Sequence, residues 1–137
     1  MTMPKMLKLL CTMLCALAIG LSGQLALAQT TGQIVKNNCD ACANFCAKTL
    51  NYCVGKRGAY GKDTVTTPIK DAISCCKSSS ELLSRSSALQ NKSIAMTIEA
   101  LNECVKVCEG FPNDNNMKAC ADECRKCSSN LAKVKAK

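Results

Sequence analysis

Three cysteines near the C-terminal end of the chain are spaced so that they share one face of a helix. They are Cys120, Cys124 and Cys127, and Leu131 continues the same stripe. Such spacing brings side chains to one face because an α-helix turns once in about 3.6 residues. The residues between them are mostly charged and suit water. The pattern therefore predicts an amphipathic helix whose buried face is made of thiols.

The remaining cysteines repeat this arrangement in three other parts of the chain. They are Cys39, Cys42, Cys46 and Cys53, then the adjacent pair Cys75 and Cys76, then Cys104 and Cys108. Cysteines four residues apart place their Cβ atoms about 5–6 Å from each other on one helical face. Two thiolates at that distance can hold a soft metal ion between them without bending the helix. The thioether of Met117, just before Cys120, is a further candidate ligand.

The types of ligand available decide which metal this pattern suits. The chain has 13 Cys and no His. Thiolates select Cu(I), Zn(II) or iron–sulfur clusters. Zinc prefers closed tetrahedral sites, usually on loops and often with His, and iron–sulfur ligands also lie on loops. Continuous helical rows of cysteine favour several bridged Cu(I) ions, with zinc or another metal as an open alternative.

Apolar periodicity and turn residues assign the first cysteine group to a helix from Gly32 to Val54. Ile34 is expected to face inward with the cysteines of this helix. The glycine-rich loop at 55–61 ends the helix.

A second helix is predicted to begin shortly after this loop. Its cap is one of three residues, Asp63, Thr66 or Thr67. Pro68 is expected in its first turn, where a missing N–H does no harm. The apolar stripe runs as far as Leu89, and residues 91–93 separate this helix from a third that ends near Glu109.

A turn at 110–116 precedes the fourth helix, which closes the chain. Four helices of about 18–23 residues with short loops predict an all-α, up-down-up-down four-helix bundle with a cysteine-lined core. We call the end that carries the loops at 55–62 and 110–116 the mouth. The spacing places Cys53, Cys108 and Cys120 nearest the mouth, Cys76 level with Cys46, and Cys39 deepest. Aliphatic residues should fill the opposite half: Leu83, Leu89, Ile94, Ile98 and Leu131.

The first 28 residues have the pattern of a secretory signal peptide. Lys5 and Lys8 precede an apolar run, and Ala26-Leu27-Ala28 is a small-x-small cleavage signal. This predicts export to the periplasm or outside the cell, and a mature metal-binding bundle at 29–137. Removing Cys11 and Cys15 with the leader leaves eleven of the 13 cysteines. No later stretch is long and apolar enough to span a membrane.

The segment Cys120-Ala-Asp-Glu-Cys-Arg-Lys-Cys127 resembles the repeated signature of the cysteine-rich four-helix-bundle copper storage proteins. Segments 38–46 and 104–108 are similar to the same pattern, so the resemblance covers residues 32–131. It implies a bundle whose core thiols store many Cu(I) ions and exchange them at one end. The chain departs from the family pattern in its second helix, which contributes only an adjacent cysteine pair.

A different class of protein shares part of this pattern. Cysteine-dense exported chains are usually disulfide-stapled scaffolds. Here Cys104, Cys108, Cys120 and Cys124 have the spacing of a twin C-x3-C hairpin, as in small chaperone-like interaction proteins. This alternative stays open, although an odd number of cysteines argues against complete pairing.

Catalysis and nucleic-acid binding find no support in the sequence. The chain contains no His to act as a base, no nucleophile elbow and no phosphate-binding loop, so we expect no enzyme. The net charge is +8, but the lysines are scattered and few aromatic residues accompany them. Expected partners are copper ions. A protein that donates or accepts copper and a second copy of the chain are partners that the pattern allows.

Overall fold

The computed structural model describes residues 32–135, where all regular structure is helical. Helix α1 spans residues 32–56, α2 spans Asp63–Ser84, α3 spans Gln90–Glu109 and α4 spans Asn115–Lys135. A 3-10 helix at Gly58–Gly61 lies between α1 and α2. The predicted leader, with Cys11 and Cys15, falls outside the described residues and stays a prediction.

Contacts between α1 and α4 show that these helices run in opposite directions. Cys53 of α1 meets Met117 near the start of α4. Cys46, about two turns earlier on α1, meets Cys124, about two turns later on α4. Helix α2 packs on α3, and α3 packs on α4. The predicted all-α four-helix bundle is confirmed.

The start of α1 corrects one expectation about the core. Ile34 does not face inward: it is 54% exposed, and Val35 is buried in its place. Val35 lies four residues before Cys39 and shares its face, whereas Ile34 is one residue further back and points about 140° away. The inward stripe of α1 therefore begins at Val35.

Helix α2 begins earlier than its polar residues suggested. The carbonyl of Lys62 accepts hydrogen bonds from the N–H groups of Val65 and Thr66, and no side chain caps this end. Pro68 consequently lies inside the helix rather than in its first turn. Pro68 has no N–H to donate to the carbonyl of Thr64. Thr64 is exposed, so water can reach this carbonyl instead.

The connection between α2 and α3 also differs from the prediction. Helix α2 ends at Ser84, and the N–H groups of Ser86 and Ser87 bond back to the carbonyls of Leu83 and Leu82. Ser86 has a φ of 49°. This is a Schellman-type ending with Ser in the left-handed position that Gly usually takes, which hides the signal from sequence reading. Leu89 is consequently 57% exposed, and residues 91–93 belong to α3.

The half of the core away from the mouth is not purely aliphatic. Ile94 and Leu131 are buried there as predicted, while Leu83 and Ile98 are only partly buried. A hydroxyl cluster lies between α2 and α3, formed by Ser79, Ser93 and Thr97. Ser79 Oγ is 2.7 Å from Ser93 Oγ and 2.8 Å from Thr97 Oγ1, and Thr97 donates to the carbonyl of Cys75.

These hydroxyls satisfy one another, so the buried polar groups carry no desolvation penalty for a missing hydrogen bond.

Among the described helices, none combines the length and apolar character needed to span a membrane.

Candidate metal centre

Seven buried cysteines form two groups in which all sulfur atoms lie within 4.8 Å of one another. The four-thiol cluster consists of Cys46, Cys104, Cys120 and Cys124, and the three-thiol cluster of Cys42, Cys76 and Cys127. Their exposure is at most 1%. Helices α1 and α4 contribute cysteines to both clusters. Helix α3 contributes only to the four-thiol cluster, and α2 only to the three-thiol cluster. The helical spacing along each chain segment therefore becomes two ligand sets only when the bundle closes.

The four-thiol cluster is held together across the α1–α4 interface. Cys46 Sγ lies 3.6 Å from Cys124 Sγ and 4.0 Å from Cys120 Sγ. Cys42 in turn lies beside Cys124 and Cys46, so the two clusters adjoin. The result is a continuous column of sulfur along the bundle axis.

The other candidate ligands extend this column at both ends. Cys108 lies beside Cys104 and Cys120, towards the mouth. Cys39 lies beside Cys127 at the deep end. Nearest the mouth, the thiol of Cys53 is 3.6 Å from the thioether sulfur of Met117, and both residues are fully buried.

The pair on α2 separates into two different environments. Cys76 is fully buried and belongs with Cys42 and Cys127, one level deeper than its predicted place beside Cys46. Cys75 is only half-buried and is not part of either cluster. Adjacent residues on a helix point about 100° apart, so one member of such a pair is directed away from the core.

The thiols of the four-thiol cluster polarise one another. The neighbouring Cys104 thiol is the largest cause of a lowered pKa for the Cys120 thiol and of a pKa of about 6 for Cys46. Contacts with neighbouring thiols and burial raise the pKa of Cys104 and of Cys124. The cluster therefore combines thiolates that are ready to bind a cation with thiols that release protons when it binds.

The three-thiol cluster follows the same division. The S–H of Cys124, and then that of Cys127, stabilises the thiolate of Cys42 and lowers its pKa to about 6. Hydrogen bonding to Cys127 and Cys42, together with burial, raises the pKa of Cys76. Within this cluster Cys42 therefore becomes a thiolate more readily than Cys76.

A carboxylate that sequence reasoning missed organises the mouth. Asp114 Oδ1 accepts hydrogen bonds from the N–H groups of Asn116 and Met117 and so caps α4. Its Oδ2 accepts hydrogen bonds from the hydroxyls of Tyr52 at 2.6 Å and Tyr60 at 2.9 Å, and from Lys56 Nζ at 3.1 Å. The Tyr52 bond is the main cause of a lowered pKa for Asp114.

The aromatic residues at the mouth pack against the buried core and against one another. The rings of Tyr60 and Phe111 stack with centroids 4.2 Å apart, and Tyr52 meets Tyr60 edge-on at 6.0 Å. Lys56 Nζ lies 4.3 Å from the centre of the Tyr60 ring. The sequence does offer one signal for part of this arrangement: Asp114 comes just before α4, and Asp is a preferred residue for capping the start of a helix.

Comparison with known proteins agrees with this geometry. No curated protein and no solved structure matches the chain significantly. The family model described as "Copper storage protein" matches residues 27–136, which is most of the chain. The resemblance noted at residues 32–131 is confirmed, and the chain belongs to the copper storage protein family.

Proposed function

We propose that the chain stores several Cu(I) ions by binding them between the thiols of its bundle core. The observation that carries this proposal is the four-thiol cluster, whose sulfurs all lie within 4.8 Å of one another. A metal–thiolate bond is about 2.3 Å long for zinc. Two sulfurs on opposite sides of an ion of similar size therefore lie about 4.6 Å apart. The spacing suits metal bridging with little rearrangement.

The chemistry of the core supports a soft monovalent ion. Every candidate ligand in the two clusters is a sulfur atom, and the chain has no His. Cu(I) can be coordinated by two or three thiolates, and one thiolate can bridge two ions. Because the clusters adjoin, one sulfur can serve two ions, and the number of ions can exceed the number of isolated sites.

Storage rather than catalysis is the role we assign to these ions. The bound cargo would lie in a core whose sulfurs are almost completely shielded from water. We also propose that the predicted leader directs export to the periplasm or outside the cell. A protein that donates or accepts Cu(I) would then load and empty the store.

A titration of the reduced chain with Cu(I), without oxygen and against a competing chelator, tests the proposal. We expect several equivalents to bind and most thiols to become unreactive. Zinc should bind in smaller amounts and be displaced by Cu(I). Cys75→Ser is the matched control, because it removes a thiol that lies outside both clusters. Binding of one Cu(I) or none would overturn the proposal.

The disulfide-scaffold alternative predicts a different result. A thiol count on freshly isolated metal-free chain, with and without reductant, separates the two. All eleven cysteines in the described residues are free thiols. A count near that number without reductant supports storage, whereas one or three free thiols would favour a stapled scaffold.

A further inference from the structure

The mouth of the bundle offers a poor path to the sulfur column. The stacked rings of Tyr60 and Phe111 and the hydrogen-bonded Asp114 lie there. A pocket at this end, lined by these three residues and Lys56 among others, has no sulfur in its walls. The outermost sulfurs, those of Cys53 and Met117, are fully buried.

A second pocket does reach the sulfur column, and its walls are formed by α3, α4 and Pro112 of the loop that joins them. Its volume is about 220 Å³, and Cys108 and Ala121 form part of its lining. Both residues are buried, so they lie at the inner wall. The small side chain of Ala121 leaves room beside the Cys108 thiol.

Cys108 connects this pocket with the store. On its inner side the thiol contacts Cys104 and Cys120, which are two members of the four-thiol cluster. An ion bound at Cys108 is therefore one ligand exchange away from that cluster.

Charged side chains line the outer part of the pocket. The guanidinium of Arg125 bonds the carboxylates of Glu109 on α3 and Asp122 on α4, and Lys118 lies beside them. All four side chains are exposed. Exposed ion pairs contribute little free energy, so a competing ligand can open this contact at small cost.

We propose that this pocket is a lateral port through which Cu(I), carried by a small thiolate ligand, enters and leaves the core. The inference rests on the proposed storage function. In the exchange, the bond between Cu(I) and the carrier sulfur breaks and a bond to Cys108 Sγ forms. The proton of the Cys108 thiol passes to the released carrier thiolate, and copper keeps its oxidation state. Cu(I) then moves to Cys104 or Cys120.

Blocking the port with a bulky side chain tests this inference. Lys118→Trp covers the pocket from its exposed rim, and Lys126→Trp is the matched control, because Lys126 is exposed on the same helix and does not line the pocket. Stopped-flow transfer of Cu(I) from a small-thiol complex to the reduced full chain would be measured without oxygen. We expect Lys118→Trp to slow loading by at least about tenfold and Lys126→Trp to leave it unchanged.

Two further variants distinguish the routes. Arg125→Gln should speed loading because it opens the rim, and Cys108→Ser should slow loading more than it lowers the final number of bound ions. Tyr60→Ala, which disturbs the aromatic stack, should not change the rate. The lateral port is wrong if Tyr60→Ala speeds loading while Lys118→Trp has no effect. In that case unchanged equilibrium capacity would leave the storage function intact, whereas loss of all binding in the unmodified chain would overturn both.

Discussion

Cys46 on α1 and Cys124 on α4 bring their sulfur atoms to 3.6 Å from each other in the centre of the bundle. Neither residue is exposed to solvent. Aliphatic side chains would fill such an interface equally well, so stability alone does not account for thiols there. The pair occupies the middle of the sulfur column. Cys42 lies beside both residues and connects them with the three-thiol cluster.

Replacing both residues of this pair should therefore reduce copper capacity. We expect Cys46→Ser with Cys124→Ser to remove about two Cu(I) ions, because hydroxyls are poor ligands for a soft ion. Anaerobic titration against a chelator measures the loss, and circular dichroism checks that the helices remain. Cys75→Ser provides the control. Equal capacities in the double variant and the control would contradict the assignment of the four-thiol cluster.

Copper binding should release protons, and its affinity should fall as the pH falls. The raised pKa values of Cys104 and Cys124 mean that these thiols keep their protons until a metal displaces them. The dependence should become steeper below about pH 6, where the thiols of Cys42 and Cys46 also take up protons. A pH indicator in weakly buffered solution measures the release. Binding without net proton release would contradict this picture.

Asp114 should stabilise the bundle through its charge as well as its cap. Asp114→Asn keeps a capping side chain but loses the charged acceptor for Tyr52, Tyr60 and Lys56. We expect a loss of about 1–2 kcal/mol in the free energy of unfolding at neutral pH. The exposed Asp122→Asn, measured by the same denaturant titration, serves as the comparison.

The effect of Asp114 should depend on pH in a defined direction. Its pKa in the folded state is lowered from the ordinary value of 3.8. Its contribution to stability is therefore complete above that value and disappears as the pH falls towards the lower folded-state pKa. The difference between the wild-type chain and Asp114→Asn should shrink in acid. A difference that persists unchanged there would show that charge is not the cause.

The hydroxyl cluster beneath the thiols should matter for folding. Ser79→Ala removes the group that bonds both Ser93 and Thr97, and we expect it to cost about 1–2 kcal/mol because buried hydroxyls lose a partner. Ser78→Ala changes the neighbouring exposed position and should have almost no effect. Thermal or denaturant unfolding of the metal-free chain compares them. Equal stability of the two variants would mean that water or another group replaces the lost bond.

Several features of the core were predictable because they depend only on local helix geometry. Cys120, Cys124 and Cys127 share a face in any α-helix, whatever it packs against, and all three are buried. The same periodicity identifies Cys39, Cys42 and Cys46, and it shows after the fact that Val35 rather than Ile34 continues their stripe. The helix endings were less accessible, since Ser86 takes a conformation that its sequence does not announce.

The sequence by itself determined that this chain forms helices with sulfur on their inner faces and no nitrogen ligand from His. Only the tertiary structure decided which sulfurs meet. Cys76 lies with Cys42 and Cys127 rather than beside Cys46. Asp114 accepts a hydrogen bond from Tyr52, which lies 62 residues away in the sequence. These contacts depend on the relative rotation and axial shift of four helices. That register is set by the packing of all their side chains together, and no spacing within a single helix contains it.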